Sequence, residues 1–316
     1  MISHVPINPN ASALFGSAIG IYQKVLVLGA SGWFGRTALS MMGRKHEDSL
    51  LIGGSERAIR VEGRQVVIRE WAEGLVERFQ PDLVLDFAFL TKDKIPFVGA
   101  KEFSKQNAKL SERLFLSASF PSVKKVVTVS SGAAVHGCGI QSRRSGDSYG
   151  RQKAHNEGVL RVLASALKKD VVVARAWSVS GGHTQAPENF AFSDFVLSAL
   201  RSKNIRVASP QRVFRRYCSV EDFLAVAMAA KVKENYLEFD SGGPLIELEG
   251  LAKLVASDIG GASVEVTHSI RGHSDADNYF SDGADWTRLC LEIGLTPLDL
   301  LSQIRNVREA LSPSRE

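Results

Sequence analysis

Short continuous apolar runs alternate with segments of helical period along the first half of this chain. Lys24–Leu28, Ser49–Ile52, Gln65–Ile68, Asp82–Phe87, Lys125–Ser130 and Val171–Ala176 are strand-length runs rich in Val, Ile and Leu. Between them, 33–42, 71–79, 100–116 and 149–167 space their apolar residues as helices do, with Leu110, Leu114 and Leu116 on one side of the third. Uninterrupted apolar strands alternating with helices predict a parallel sheet covered on both faces, a doubly wound α/β fold of the Rossmann type. Ligands of such sheets bind beyond the carboxyl ends of the strands.

Beyond residue 177 the alternation loosens. Helices over 190–200, 220–230 and 248–257 are joined by short strands and by loops rich in Gly, Ser and Pro. The expected division is an N-terminal extension over 1–23, a dinucleotide-binding domain over 24–176, and a mainly substrate-binding region over 177–316 with segments returning to the core. The apolar patch Ala11–Tyr22 has no basic stretch before it and is too short to span a bilayer, so it reads as an extension that packs on the domain or frays.

Composition narrows the picture a little. With 44% hydrophobic and 23% charged residues, the chain is an ordinary globular one. Its net charge of +5 fits either solubility or attraction to an anionic small ligand, and no Lys/Arg run interleaved with aromatics points to nucleic acid. Cys138, Cys218 and Cys290 lack metal or disulfide spacing, which fits the reducing cytoplasm, and no metal site is expected.

The chemistry concentrates in two motifs. Gly29, Gly32 and Gly35, in GASGWFG, follow a buried strand and open a helix, together with Ser31, Trp33, Phe34 and Arg36. Here a backbone must approach a pyrophosphate closely, and the helix start offers N–H groups to it. Trp33 and Phe34 read as packing residues in that turn. The next strand ends Gly53-Gly54-Ser55-Glu56-Arg57, with no acid at its tip. Ser55, Arg57 and Arg36 favour the 2′-phosphate of NADP over the ribose of NAD; a shift of one residue would make Glu56 the ribose ligand and NAD the cofactor. The second motif, Tyr149-Gly150-Arg151-Gln152-Lys153, puts a phenol and an ammonium one helical turn apart. The ammonium favours the phenolate and brings its pKa, ordinarily about 10, toward working pH.

With these landmarks the chain resembles the extended short-chain dehydrogenase/reductase family, the NAD-dependent epimerase/dehydratase group. The resemblance covers most of 24–310. It takes in the glycine turn, Pro81-Asp82-Leu83-Val84-Leu85-Asp86 with Phe87 and Ala88, Asn107, the strand residue Val129, VSSGAAVHG, YGRQK with Glu157, Arg175, and RRYCSVED. It implies that Tyr149 is the catalytic acid/base and that Lys153 holds the nicotinamide ribose. Phe87, Ala88, Asn107 and Val129 then fall in the cofactor site, and Ser178, Asn189, Arg215 and Arg271 in the substrate site, the arginines and Asn189 near a nucleotide-sugar pyrophosphate. The helices over 100–116 and 149–167 resemble those that pair family members into homodimers.

The departures are as informative. The family's catalytic Ser/Thr falls on Gly132 and its usual Tyr on His136, leaving Ser131, or Ser130, to reach the carbonyl. Ala133 and Ala134 stand where sugar 4,6-dehydratases carry an Asp-Glu pair, and no cysteine lies between 130 and 135 for epimerase-reductase chemistry. What remains is hydride chemistry at one carbon. The expectation is NADPH-dependent 4-ketoreduction of a nucleotide deoxysugar in surface-polysaccharide synthesis. The alternatives are an NAD-dependent 4-epimerase, or a cofactor-sensing or scaffolding protein whose chemistry was lost at Gly132.

Overall fold

The computed structural model describes residues 8–136, 148–268 and 276–312. Its strands are β1 (Val25–Leu28), β2 (Ser49–Gly53), β3 (Arg57–Val61), β4 (Arg64–Glu70), β5 (Leu83–Asp86), β6 (Lys125–Ser131), β7 (Asp170–Ala176), β8 (Ser178–Ser180), β9 (Ile205–Val207), β10 (Val213–Ser219), β11 (Tyr236–Asp240), β12 (Leu245–Glu247), β13 (Val266–His268) and β14 (Asp277–Asn278). The helices are α1 (Pro9–Gly20), α2 (Trp33–Met41), α3 (Glu73–Phe79), α4 (Ile95–Val98), α5 (Ala100–Ser119), α6 (Ala133–His136), α7 (Ser148–Leu167), α8 (Ala191–Leu200), α9 (Val220–Ala229), α10 (Leu248–Val255), α11 (Ala284–Ile293) and α12 (Leu300–Leu311).

Eight strands form the main sheet in the order β11-β7-β6-β5-β1-β2-β4-β3. Every pair is parallel except β3 with β4. The order reverses at β1, whose carboxyl end, Leu28, lies between Ile52 and Asp86. That reversal opens the crevice in which a Rossmann sheet takes its ligand. Val25 and Val27 pack toward α1, α2 and α9, whereas Leu26 and Leu28 pack toward α3, α5 and α7. Both faces are therefore covered, as the unbroken apolar strands predict.

One feature departs from the sequence reading, and one takes the packed form of its two expected ones. Arg57 does not trail off the end of β2; it opens β3, which pairs antiparallel with β4 at the sheet edge. The turn between them has positive φ at both Glu62 and Gly63, as tight hairpins require. The extension is helix α1, not a fraying end. Ala11, Phe15 and Ile19 are fully buried on the α9 side, and Asn8 caps the helix while donating to Asp222 Oδ1 at 2.7 Å. Phe192, Val196, Leu251, Val255, Ile304 and Val307 form a separate core among α8, α10 and α12.

Candidate active site

At the glycine turn the backbone of β1 meets that of β5. Gly29 has φ +76°, and a Cβ there would lie 2.7 Å from the Ala88 nitrogen; at Gly35 it would lie 2.3 Å from the Gly29 oxygen. Neither position admits another residue, and α2 is thereby pressed against the turn. Among the described residues no side chain caps α2, so its first amides, those of Trp33 and Phe34, are open to a ligand. Their side chains pack elsewhere, Trp33 on Phe190 and Phe34 on Phe87 and Phe223. A cleft of about 380 Å³ runs from this turn, lined by Gly29, Ser31, Ile52, Gly53, Ala88 and Phe89 among others. Apolar walls, a glycine cradle and a bare helix start fit a dinucleotide. Gln185 reaches over the turn and donates to the Ser31 carbonyl at 2.7 Å, a contact the sequence did not announce.

At the adenosine end, Arg36 donates to the carbonyls of Ser31 and Arg60. Burial, and then the charge of Arg57, hold its guanidinium below its ordinary pKa. Glu56 turns to Arg69 at 2.8 Å. Ser55 is exposed in the link before β3. Asn107 is fully buried, and its amide accepts from the Leu90 N–H and donates to the Leu90 carbonyl. It shapes the segment at Leu90, which lines the cleft.

Tyr149 and Lys153 share one face of α7. Lys153 Nζ donates to the Val129 carbonyl of β6 at 2.8 Å and lies 3.9 Å from the centre of the Phe89 ring, which also meets the Tyr149 ring edge-on. Phe89, unremarked in the sequence, therefore touches both. Burial pushes the Lys153 ammonium down to about 8, while the charges of Asp86 and Glu157 draw it back up. Burial raises the Asp86 carboxyl, against the pull of Lys153 and a hydrogen bond from Thr128. Ser130 donates to Glu157, which is also gripped by Arg175 at 2.7 Å, so this hydroxyl is engaged in the structure. Ser131 accepts from the Ala133 N–H at 3.2 Å and lies 3.3 Å from the Tyr279 hydroxyl.

The model of the NAD dependent epimerase/dehydratase family matches residues 25–237, the stretch that holds the glycine turn, Tyr149 and Lys153. The chain belongs to this family. No curated protein matches the sequence. Among solved structures, the fold is similar to UDP-glucose 4-epimerase of Thermotoga maritima with UDP-glucose (TM-score 0.70, 20% identity, 92% of this chain and 100% of that one). It is also similar to UDP-glucose 4-epimerase of Brucella ovis in complex with NAD (0.67, 19%, 92% and 98%). A third is UDP-N-acetylglucosamine 4-epimerase of Methanobrevibacter ruminantium M1 in complex with UDP-N-acetylmuramic acid (0.67, 17%, 92% and 97%). The epimerase/dehydratase family consists of NAD-dependent enzymes, and this chain is an enzyme of that family.

Of the residues expected to meet a substrate, Arg215, Ser178 and Asn189 lie on different elements. Arg215 on β10 faces Asp277, with Nη2 to Oδ2 at 2.8 Å, and its guanidinium lies over the Tyr279 ring. Its charge is thus already met by a carboxylate that an anionic ligand would have to displace or share. Ser178 is half-buried on β8, paired with Tyr217 of β10. Asn189 is exposed in a single turn before α8. Arg271 and Cys138 lie outside the described residues. His183 is half-buried beside Glu62, and desolvation pushes its pKa down to about 4.

Proposed function

We propose that this family member is an NADPH-dependent reductase of the 4-keto group of a nucleotide-activated deoxysugar, of the kind used in surface-polysaccharide synthesis. The observation that carries the reading is the fastening of Lys153 to the carbonyl of Val129. It ties the face of α7 that bears Tyr149 to β6, two residues before Ser131. The nicotinamide, when bound, supplies the hydride that the carbonyl carbon accepts. Tyr149 gives its phenol proton to the carbonyl oxygen, and the Lys153 ammonium stabilises the phenolate left behind. Ser131 donates a hydrogen bond to the same oxygen as negative charge develops on it. Gly29, Gly35 and the first turn of α2 would hold the pyrophosphate.

Support for NADPH comes from Arg36 and Arg57, two cations close enough to feel each other, and from Glu56, which is paired with Arg69. A second reading, 4-epimerisation with a retained NAD, draws on the likeness to epimerases solved with NAD and with UDP-glucose. There Tyr149 would first take the sugar's hydroxyl proton and then return it. The partners in either case are a nucleotide sugar and a second copy of the chain. The dimer face would be α5 with α7, where Leu116 and Val162 are exposed. The free, buried Cys218 and Cys290 suit the cytoplasm.

The test is to purify the protein and release any bound nicotinamide for identification. NADPH and NADH consumption is then followed with UDP-4-keto-6-deoxyglucose, and interconversion of UDP-glucose and UDP-galactose without added cofactor. NADPH-dependent reduction that falls about 10²–10⁴-fold in Tyr149→Phe is expected. Bound NAD with interconversion selects the epimerase. Turnover retained in Tyr149→Phe overturns both.

A further inference from the structure

Gly132 follows Ser131 at the end of β6, and the space beside it is filled. A Cβ at this position would lie 2.2 Å from Cδ2 and 2.5 Å from Cε2 of the Trp177 indole. The indole is itself pinned. Its Nε1 donates to Asp240 Oδ1 at 2.6 Å, and the Trp177 backbone N–H donates to Ser241 Oγ at 3.0 Å. The Tyr279 ring leans on it, with centroids 4.8 Å apart and planes at 47°. On another side the Arg215 guanidinium lies 5.4 Å from the Tyr279 ring centre, held by both oxygens of Asp277. These contacts bring the Tyr279 hydroxyl to 3.3 Å from Ser131 Oγ.

A serine hydroxyl has two acceptor lone pairs and one hydrogen. One lone pair of Ser131 accepts the Ala133 N–H. If Tyr279 donates to the other, the acceptor capacity of Ser131 is full and its own hydrogen must point to a third group. We infer that Tyr279 is a positioning residue that donates to Ser131 and aims the Ser131 hydrogen at the substrate's carbonyl oxygen, supplying through a second phenol what a side chain at Gly132 does not. This rests on the reading of Ser131 and Tyr149 given above. Gly132 is then a requirement of the arrangement, since the indole that supports Tyr279 occupies the place of its side chain.

Tyr279→Phe removes the donor and keeps the ring, so the packing on Trp177 survives. In cofactor-free protein, an absorbance titration of tyrosinate formation reads the coupling directly. One phenol should disappear in Tyr279→Phe and change its midpoint in Ser131→Ala; no Ser131-dependent phenol overturns the inference. With NADPH and UDP-4-keto-6-deoxyglucose, Tyr279→Phe should lower kcat about tenfold, the weight of one hydrogen bond lost in the transition state. The melting temperature and the affinity for UDP should stay unchanged. The double variant Tyr279→Phe/Ser131→Ala should lose no more than Ser131→Ala alone. A full additive loss, or a wild-type kcat in Tyr279→Phe, overturns the inference while leaving Tyr149 in place. Wild-type turnover in Tyr149→Phe instead removes the reading on which it rests.

Discussion

Lys153 is bound to the strand it serves: its ammonium donates to the carbonyl of Val129 at 2.8 Å and lies against the face of Phe89. Burial has already moved it down to about 8, so its charge is present below that pH and is lost as pH rises through it. Nicotinamide cofactor affinity should therefore hold steady from pH 6 to about 7.5 and weaken across the region around 8. Fluorescence titration of NADPH at a series of pH values checks this. Lys153→Met should bind more weakly at neutral pH and lose that dependence. The same shift bears on folding. In the unfolded chain the lysine keeps its proton to about 10.4. The native state binds fewer protons between the two values, so this group's contribution to stability rises with pH in that window.

Restoring a hydroxyl at Gly132 should damage the protein. The Cβ of Gly132→Ser would collide with the Trp177 indole, which is fixed by Asp240. Overpacking of this kind costs about 1–3 kcal/mol. Chemical denaturation should show that loss, and turnover should fall. A gain in turnover would mean that the indole yields and that the usual family arrangement is accessible.

Cofactor choice should follow the arginines. Arg57→Ala and Arg36→Ala should each weaken NADPH by about 10- to 100-fold, the range for one charge-assisted hydrogen bond, and leave NADH within a few-fold. Arg69→Ala should act in the opposite sense, because it frees Glu56 to meet a ribose hydroxyl. Calorimetric titration of both cofactors against the three variants gives the ratios.

The helix at the start of the chain should behave as core. Phe15→Ala removes a side chain that is 1% exposed and should cost about 3–5 kcal/mol. Asn8→Ala removes a helix cap, for about 0.5–2 kcal/mol, and also strips a donor from the buried Asp222. Denaturant unfolding of the two variants measures both effects.

The parallel sheet was legible because β1, β5, β6 and β7 are largely buried on both faces and carry short runs of Val and Leu. The β3 strand was not. It is an edge, exposed at Arg57, Ala58 and Arg60, and alternation over five residues is hidden among charges. Gly29, Gly35, Tyr149 and Lys153 were readable because close backbone approach and helical spacing leave local marks. Ser131 over Ser130 was a preference in the sequence, and it acquired a physical reason only when Glu157 was seen to take Ser130. Tyr279 and Trp177 carry no local mark. Their role depends on one ring filling the place beside a distant glycine, a relation between β6, the end of β7 and the strap after β14.

Trp177 also bears on how the molecule is made. During synthesis the chain emerges from its amino end, and early domains fold first. The strand bearing Ser131 and the helix bearing Tyr149 and Lys153 are complete long before Asp240 arrives to fix the indole, and before Tyr279 arrives to lean on it. A nascent chain could shape its cofactor cleft and still lack a finished reaction centre.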